Sequence, residues 1–449
     1  MDQVFGNLAL QDTITAEPYI EIEGGVSLRG DISLAGAKNS ALPSIVAACL
    51  SSDEVVLHNV PVEINDVRLL IELLIEAGAK IEIHQNSLIC CGSGWKGGAL
   101  DELVAGKIRH SLLLLGASAF WGSSLFLPLP GGCSIGSRKH DLHVLAFKAM
   151  GFDMIENEMG LLLNESRINK ESNIVFHYPT FGGTINAIFA GVRGNGTKVT
   201  IYNAACNPEV IDVINLLNKM GAQIRWVNNN ALEIIGVPAL RGTVHNIMPD
   251  RIIAATLISA TGITKGNVNI HNISGEVLAA ELTTWRKTGL QIDETTYGLT
   301  VRWTKRLQPV DVVTSAYPGF HTDIQPLHTA LMLLSDGTST LTETILDGRF
   351  EYCYQLAKMG ANIEIVPGNF NCVNGAAGQI AIIKGVDRLK GSDVVATDIR
   401  GGAAVAVAAL AAEGNTKITN IYQIERGYGN IIDLFGSLGA NIKRVSESK

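Results

Sequence analysis

One short phrase recurs six times along this chain of 449 residues. It consists of the tail of a helix, a glycine, an apolar residue, any residue, and then Ile or Met. The copies are AGAKI from Ala77, MGFDM from Met150, MGAQI from Met220, TGLQI from Thr288, MGANI from Met359 and LGANI from Leu438. Their glycines stand 73, 70, 68, 71 and 79 residues apart. Each copy reads as a helix stopped by a left-handed glycine that feeds a strand. An even period of this kind is the signature of a repeated structural unit.

A second feature keeps step with the first. Very apolar segments follow Asn39 (SALPSIVAACL), Arg109 (HSLLLLGASAF), Gly183 (TINAIFAGV), Arg251 (IIAATLISATG), Asp323 (IQPLHTALMLL) and Arg400 (GGAAVAVAAL). They are apolar nearly all round, as helices enclosed by other structure must be. Each leads through a turn into a strand such as VVLHN from Val55 or KITNI from Lys417. The expected unit is strand, buried helix, strand, outer amphipathic helix and closing strands, of βαβαββ type. The alternation predicts an α/β protein, and the length predicts two domains of three units each. With 47% hydrophobic and 17% charged residues, the chain can bury that many helices and is not disordered.

The net charge of −8 argues against nucleic acid as a partner, so any anionic ligand needs a local basic pocket. The seven cysteines show no CxxC pair and no metal-ligand spacing, which fits a reducing cytoplasm and no metal. No secretory signal is visible in the first twenty residues. The apolar stretch Ser111 to Leu127 is interrupted by glycines and serines and reads as a buried helix and strand, not a membrane span. A cytoplasmic location is expected.

Polar residues stand at the mouths of the buried helices: Lys38, Arg109, Arg251, Asp323 and Arg400. Helix N-termini carry unpaired N–H groups and a partial positive charge, and they collect anions. If the helices converge on a cleft, an acidic protein gains an anion-binding centre; taken singly, these residues are ordinary caps. The loop PGGCSIGSR, 130–138, holds three glycines and a proline, which predicts mobility and close backbone approach. Cys133 lies five residues before Arg138, where a thiol can act as nucleophile or proton donor, or simply fill a tight turn. Arg138, Arg349, Arg400 and Arg426 sit beside glycine or at element boundaries and suit carboxylate or phosphate. Asp323 and Asp398 stand at predicted helix starts, as simple N-caps or as reacting carboxylates. The histidines show no paired spacing and read as structural. No Walker A or post-strand GxGxxG motif is present.

From Ile20 to Arg444 the chain resembles the enolpyruvyl transferase superfamily. The segments that carry the resemblance are LAGAKNSALP (34–43), LPGGCSIGSRKHDLH (129–143), MPDRI (248–252), FHTDIQP (320–326), LTETILDGRF (341–350), ATDIRGG (396–402) and IERGY (424–428). The PGGC loop selects the amino-sugar branch. The resemblance implies two inside-out α/β barrel domains: 17–37 with 249–449, and 38–248, the latter carrying the mobile loop 129–139. Residues 1–16 are then an N-terminal extension.

It also implies the chemistry. Phosphoenolpyruvate is protonated at C3 while the 3-hydroxyl of a UDP-N-acetylglucosamine acceptor attacks C2, and loss of phosphate restores the enol ether. No cofactor takes part. By this resemblance Cys133 supplies the acid and Asp323 the base. Lys38, Arg109, Arg138, Arg400 and Arg426 hold phosphate and carboxylate. Asn39, Asp141, Thr180, Gly182, Arg251, Arg349 and Asp398 complete the substrate pocket. Four places depart from the family's pattern: Lys139-His140 where proline follows the loop arginine, Leu113 for tryptophan, Thr180-Phe181-Gly182 for Ser-Val-Gly, and Cys206-Asn207-Pro208-Glu209 for Arg-Glu-Pro-Glu. All four lie on the acceptor's side. Two other readings therefore stand beside the first: the same chemistry on another nucleotide or sugar phosphate, or a silent nucleotide-sugar-binding regulator.

Overall fold

The computed structural model describes residues 17–129, 139–164 and 168–446. The six phrases become six four-stranded sheets of one pattern. In the sheet of the second phrase, Gly98–Ala99 lies parallel to Leu125–Pro128. Antiparallel Gly160–Leu163 and then Met154–Asn157 complete it. The other five sheets repeat this order, one parallel pair and then two antiparallel ones.

The apolar helices lie inside the sheets. Arg251–Ile263 and Ile399–Leu410 are buried over their whole length, as their all-round apolar sequences require. Two separate cores form. One gathers Lys38–Ala48, Leu113–Trp121 and Phe181–Gly191 and draws its apolar residues from 41–247. The other gathers Arg251–Ile263, Gln325–Met332 and Ile399–Leu410 and draws on 20–34 and 252–438. Outer helices such as Asn65–Glu76 and Pro208–Lys219 bury one stripe each.

The repeated glycine does what its position predicts. Gly78, Gly151, Gly221, Gly289, Gly360 and Gly439 have φ between +88° and +103°. In five copies the following amide returns to the carbonyl five residues back, for example Ala79 to Leu74 and Ala440 to Phe435. In the TGLQI copy, the Leu290 amide donates to Thr288 Oγ1 instead. The residue before each glycine has a second task. Its carbonyl accepts the amide of a residue leading into another unit: Ala77 from Lys96, Met150 from Asn169, Met220 from Arg241, Thr288 from Gln308, Met359 from Lys390 and Leu438 from Arg29. The recurring phrase is thus the joint between neighbouring units.

One detail differs from a simple repeat. Arg29–Ser33 precedes the helix Lys38–Ala48 in sequence but pairs with Asn267–His271 of the other half. Thr243–Asn246 precedes Arg251–Ile263 but pairs with Val55–His58. The first strands of two units are exchanged because the chain changes halves between strand and helix, once near residues 34–37 and once near 246–250. The two crossings lie side by side, with Ala37 N donating to Met248 O at 2.7 Å and Asp250 N to Ala35 O at 3.0 Å.

The joints give a paired prediction. A Cβ on Gly360 would meet nothing within 4 Å, whereas one on Gly78 would stand 2.1 Å from Gly94 O. Gly360→Ala should lose only the left-handed backbone penalty of about 1–2 kcal/mol. Gly78→Ala should lose more, because a backbone carbonyl has to move. Thermal unfolding at one scan rate compares the two, and equal losses would contradict this account of the joints.

Candidate active site

The mouths of the core helices meet between the halves, around a cavity of about 750 Å³. Asn39, Arg109, Asp141, Thr180 and Gly182 line it from one half, and Arg251 and Asp323 from the other. The residues behind these walls explain how an acidic protein keeps so many cations together.

The deepest group is Lys38, Asp66 and Arg426. Lys38 Nζ lies 2.6 Å from Asp66 Oδ2, and Arg426 Nε lies 3.1 Å from Asp66 Oδ1. Arg426 also donates to Lys107 O at 3.0 Å. Lys38 and Arg426 are each 4% exposed. Burial depresses the Lys38 pKa below the ordinary lysine value; Asp66 opposes this, while Arg400 and Arg426 add to it. Burial works to raise the Asp66 pKa, but Lys38 and Arg426 outweigh it and hold the carboxyl below its usual range. One carboxylate thus serves two cations that come from different halves.

Asp323 organises the second group. Its Oδ1 is 3.1 Å from Arg349 Nη2 and its Oδ2 is 3.4 Å from Arg400 Nε. Arg349 Nη1 reaches Asp398 at 3.4 Å. Asp398 is an N-cap, accepting the amides of Arg400 and Gly401 at 3.0 and 3.1 Å. Asp323 is not: the helix Gln325–Met332 has Ile324 at its N-cap position and no side-chain cap. Of the two aspartates, only Asp323 keeps its carboxylate off a helix end and on the cavity wall. Burial works to lower the Arg400 pKa, yet Asp323, Tyr428 and Asp250 carry it above the ordinary arginine value. Arg400 Nη1 and Arg251 Nη1 are buried with no acceptor among the described residues. An unsatisfied buried donor costs roughly 1–3 kcal/mol, so each of these invites an anionic oxygen.

Around the rest of the wall, Arg251 is paired in bidentate fashion with Glu209 at 2.8 and 3.3 Å, across the two halves. Arg109 opens a single 3₁₀ turn before the second core helix and donates to Lys139 O at 2.7 Å. Thr180 caps its helix by accepting from Gly183 N at 3.3 Å. Gly182 faces His143, whose ring would lie 2.7 Å from an added Cβ. Cys133 and Arg138 lie outside the described residues.

Several site residues were given no role by the sequence. Asp66 sits on an outer helix with no motif around it, and Glu209 stands out only as the end of the Cys206–Glu209 stretch; the fold places them against Lys38, Arg426 and Arg251. The buried His143 and the half-buried His321 line the cavity as neutral rings, with pKa values lowered to about 3 and about 4, first by desolvation and then by nearby cations. Glu343 accepts from Thr322 Oγ1 at 2.9 Å and from the amides of Ile345 and Leu346 at 2.8 and 3.1 Å, which holds three wall residues together. Among the described residues no cluster of three or more His, Cys, Asp or Glu could hold a metal ion. No helix among them is long and apolar enough to cross a membrane.

Residues 22–435 match the family model described as EPSP synthase (3-phosphoshikimate 1-carboxyvinyltransferase). UDP-N-acetylglucosamine 1-carboxyvinyltransferase 1 of Caldanaerobacter subterraneus subsp. tengcongensis is 39% identical, over 94% of this chain and 98% of the relative. UDP-N-acetylglucosamine 1-carboxyvinyltransferase of Halothermothrix orenii is 38% identical, over 94% and 99%. Among solved structures, the enolpyruvyl transferase NikO from Streptomyces tendae superposes with a TM-score of 0.83 at 23% identity, over 96% of this chain and all of that one. EPSP synthase from Acinetobacter baumannii does so with a TM-score of 0.73 at 14% identity, over 95% and 100%. These two share the fold, that of two inside-out barrels. The chain belongs to the EPSP synthase family of carboxyvinyl transferases.

Asp66 offers a direct test of the charge balance. Asp66→Asn leaves Lys38 and Arg426 buried together without their carboxylate, which should cost about 3–5 kcal/mol. Tens of millimolar phosphate should restore part of the loss by binding the uncovered cations. Urea unfolding with and without phosphate measures both effects. Unchanged stability, or a loss that phosphate leaves untouched, would contradict the balance.

Proposed function

We propose that this member of the EPSP synthase family transfers the enolpyruvyl group of phosphoenolpyruvate to the 3-hydroxyl of UDP-N-acetylglucosamine and releases phosphate, a step in peptidoglycan precursor synthesis. The observation that carries this reading is the Asp323 carboxylate on the cavity wall, directly in front of Arg400, in the same charge network as Lys38 and Arg426. The names of the relatives at 38–39% identity support the nature of the acceptor.

In the addition step, the acceptor oxygen bonds to C2 of phosphoenolpyruvate as C3 takes a proton, and the hydroxyl proton leaves. We assign its removal to Asp323 and the C3 proton to Cys133, the latter by resemblance alone. The product is a tetrahedral ketal that carries both phosphate and carboxylate. The buried Lys38, Arg400 and Arg426 hold these anions where their attraction is little screened, and Arg138 is assigned to the same task by resemblance alone. In the elimination step, the methyl group returns a proton, the C2–O bond to phosphate breaks, and the double bond reforms. Asn39, Arg109, Asp141, Thr180, Gly182, Arg251, Arg349 and Asp398 are assigned to binding or orienting the substrates. We further propose that 17–37 with 249–449 and 38–248 act as the two closing bodies, and that the reaction takes place in the cytoplasm.

A second reading keeps this chemistry and changes the acceptor. Its support is that Leu113, Lys139, Thr180 to Gly182 and Asn207, all within the departures from the family's pattern, line this same cavity. Phosphate release measured with phosphoenolpyruvate and a panel of acceptors separates the two. UDP-N-acetylglucosamine should give the largest kcat/KM. A larger value with another nucleotide or sugar phosphate would transfer the assignment to that acceptor, and no release with any would sink both.

Asp323→Asn should abolish turnover while acceptor affinity stays within about tenfold, roughly 1.4 kcal/mol. A base matters more at the transition state than in the ground state. Calorimetric titration alongside the release assay measures the split, and turnover at the wild-type rate would remove Asp323 from the mechanism.

A further inference from the structure

Helix Pro208–Lys219 presents two carboxylates one turn apart, Glu209 and Asp212, which places them on one face. Glu209 takes Arg251, as described above. Asp212 does not line the cavity. Its Oδ2 accepts from Ser40 Oγ and from the Met248 amide at 3.2 Å, and its Oδ1 faces His245 Nε2 at 3.0 Å. Lys219 Nζ, on the same helix, lies 3.3 Å from His245 Nδ1. An ammonium can only donate, so the ring accepts at Nδ1 and donates from Nε2 to Asp212. Ser40 is fully buried, His245 is 4% exposed, and the Asp212 side chain is 12% exposed.

The partners of Asp212 define its task. Ser40 stands just beyond the first crossing and Met248 lies within the second. These crossings are the two places where the described chain passes between the cores, and they are joined to each other by a backbone bridge between Gly36 and Pro249. A second cross-link runs from Lys38 N to Asp250 Oδ2 at 3.1 Å. Lys38 and Asn39 leave the first crossing at the start of one core helix; Arg251 leaves the second at the start of another. Asp212 therefore fastens both crossings to one rigid helix, one and two residues from Asn39 and Lys38 at the first and three from Arg251 at the second.

We propose that Asp212 is a positioning residue that sets how the two halves meet, and through that the spacing of the cations each half brings to the reaction. This rests on the reading that both halves act on one reaction. A misplacement of about 1 Å at a reacting centre can cost on the order of a hundredfold in rate. Asp212 touches no reacting group, so its effect should appear in kcat more than in acceptor affinity.

The test uses the full chain carrying Asp212→Ala, with Gly360→Ala as a destabilised control whose site is distant in sequence from both crossings. Well below both unfolding temperatures, Asp212→Ala should lower kcat at least tenfold while acceptor Kd stays within about threefold. The control should keep the wild-type kcat. Asp212→Asn retains acceptors for Ser40 and Met248 but turns an N–H toward the His245 donor, so its kcat should fall between. Ser40→Ala combined with Asp212→Ala should cost less than the two singly summed, because one contact is lost twice. Amide exchange needs no substrate: residues 34–40 and 246–251 should both exchange faster in Asp212→Ala. Unchanged exchange in these segments overturns the proposal whether or not the wild type turns over. A wild-type kcat in Asp212→Ala, or a loss equal to that of Gly360→Ala, overturns it as well. Absence of wild-type turnover counts instead against the reading of function.

Discussion

Asp66 stands between Lys38 and Arg426 and neutralises one of two buried cations. The remaining positive charge, felt by Lys38 together with that of Arg400, cannot be dispersed into solvent because all three cations are nearly inaccessible. Burying charge without full compensation is costly, and proteins keep such arrangements where an anion completes them. Everything else about the molecule serves to make this cluster possible: a shell of sheets, helices packed apolar on every side, and an overall charge of opposite sign.

The inverted layering follows from the sequence of the core helices. A helix such as GGAAVAVAAL, composed largely of alanine, valine and glycine, has no polar face to turn outward and must be enclosed. Enclosure aims six helix starts at the space between the cores, and the side chains there acquire the dipoles and free amides of those starts. Asp250 and Asp398 use the amides as caps. Arg251, Arg400 and Lys38 occupy the adjoining turns and face inward. The exchange of strands at the two crossings then holds the halves in register, so that Arg426 of one half can share Asp66 with Lys38 of the other.

The repeat, the glycine joints, the buried helices and the inward-facing basic residues were legible because each follows from a local rule: a helix period, a left-handed cap, an apolar face. The part played by the counter-ions was not. Asp66 in INDVR and Glu209 in NPEV look like the first-turn acids of ordinary surface helices, and indeed they occupy first turns. Only contacts that the fold makes between separate elements, Asp66 with Lys38 and Arg426 and Glu209 with Arg251, reveal what they balance. The two aspartates at predicted helix starts looked alike in sequence and divided in the fold, Asp398 becoming a cap and Asp323 an ion-paired carboxylate on the cavity wall. Nothing local marks the strand exchange, since strands 29–33 and 243–246 have equivalent places in the repeat; the expectation of a divided chain came only from the resemblance, which groups 17–37 with 249–449.

On the proposed function, the buried cations stabilise a charged tetrahedral adduct, reached by protonating C3 and left by removing a proton from the same carbon. Running the reaction in deuterium oxide and recording the enol ether by NMR tests this most directly. Addition and elimination through a methyl group predict deuterium at the vinyl carbon of the product, in proportion to turnover. A product formed at the same rate with no deuterium at that carbon would mean that C3 is never protonated and that no such adduct forms.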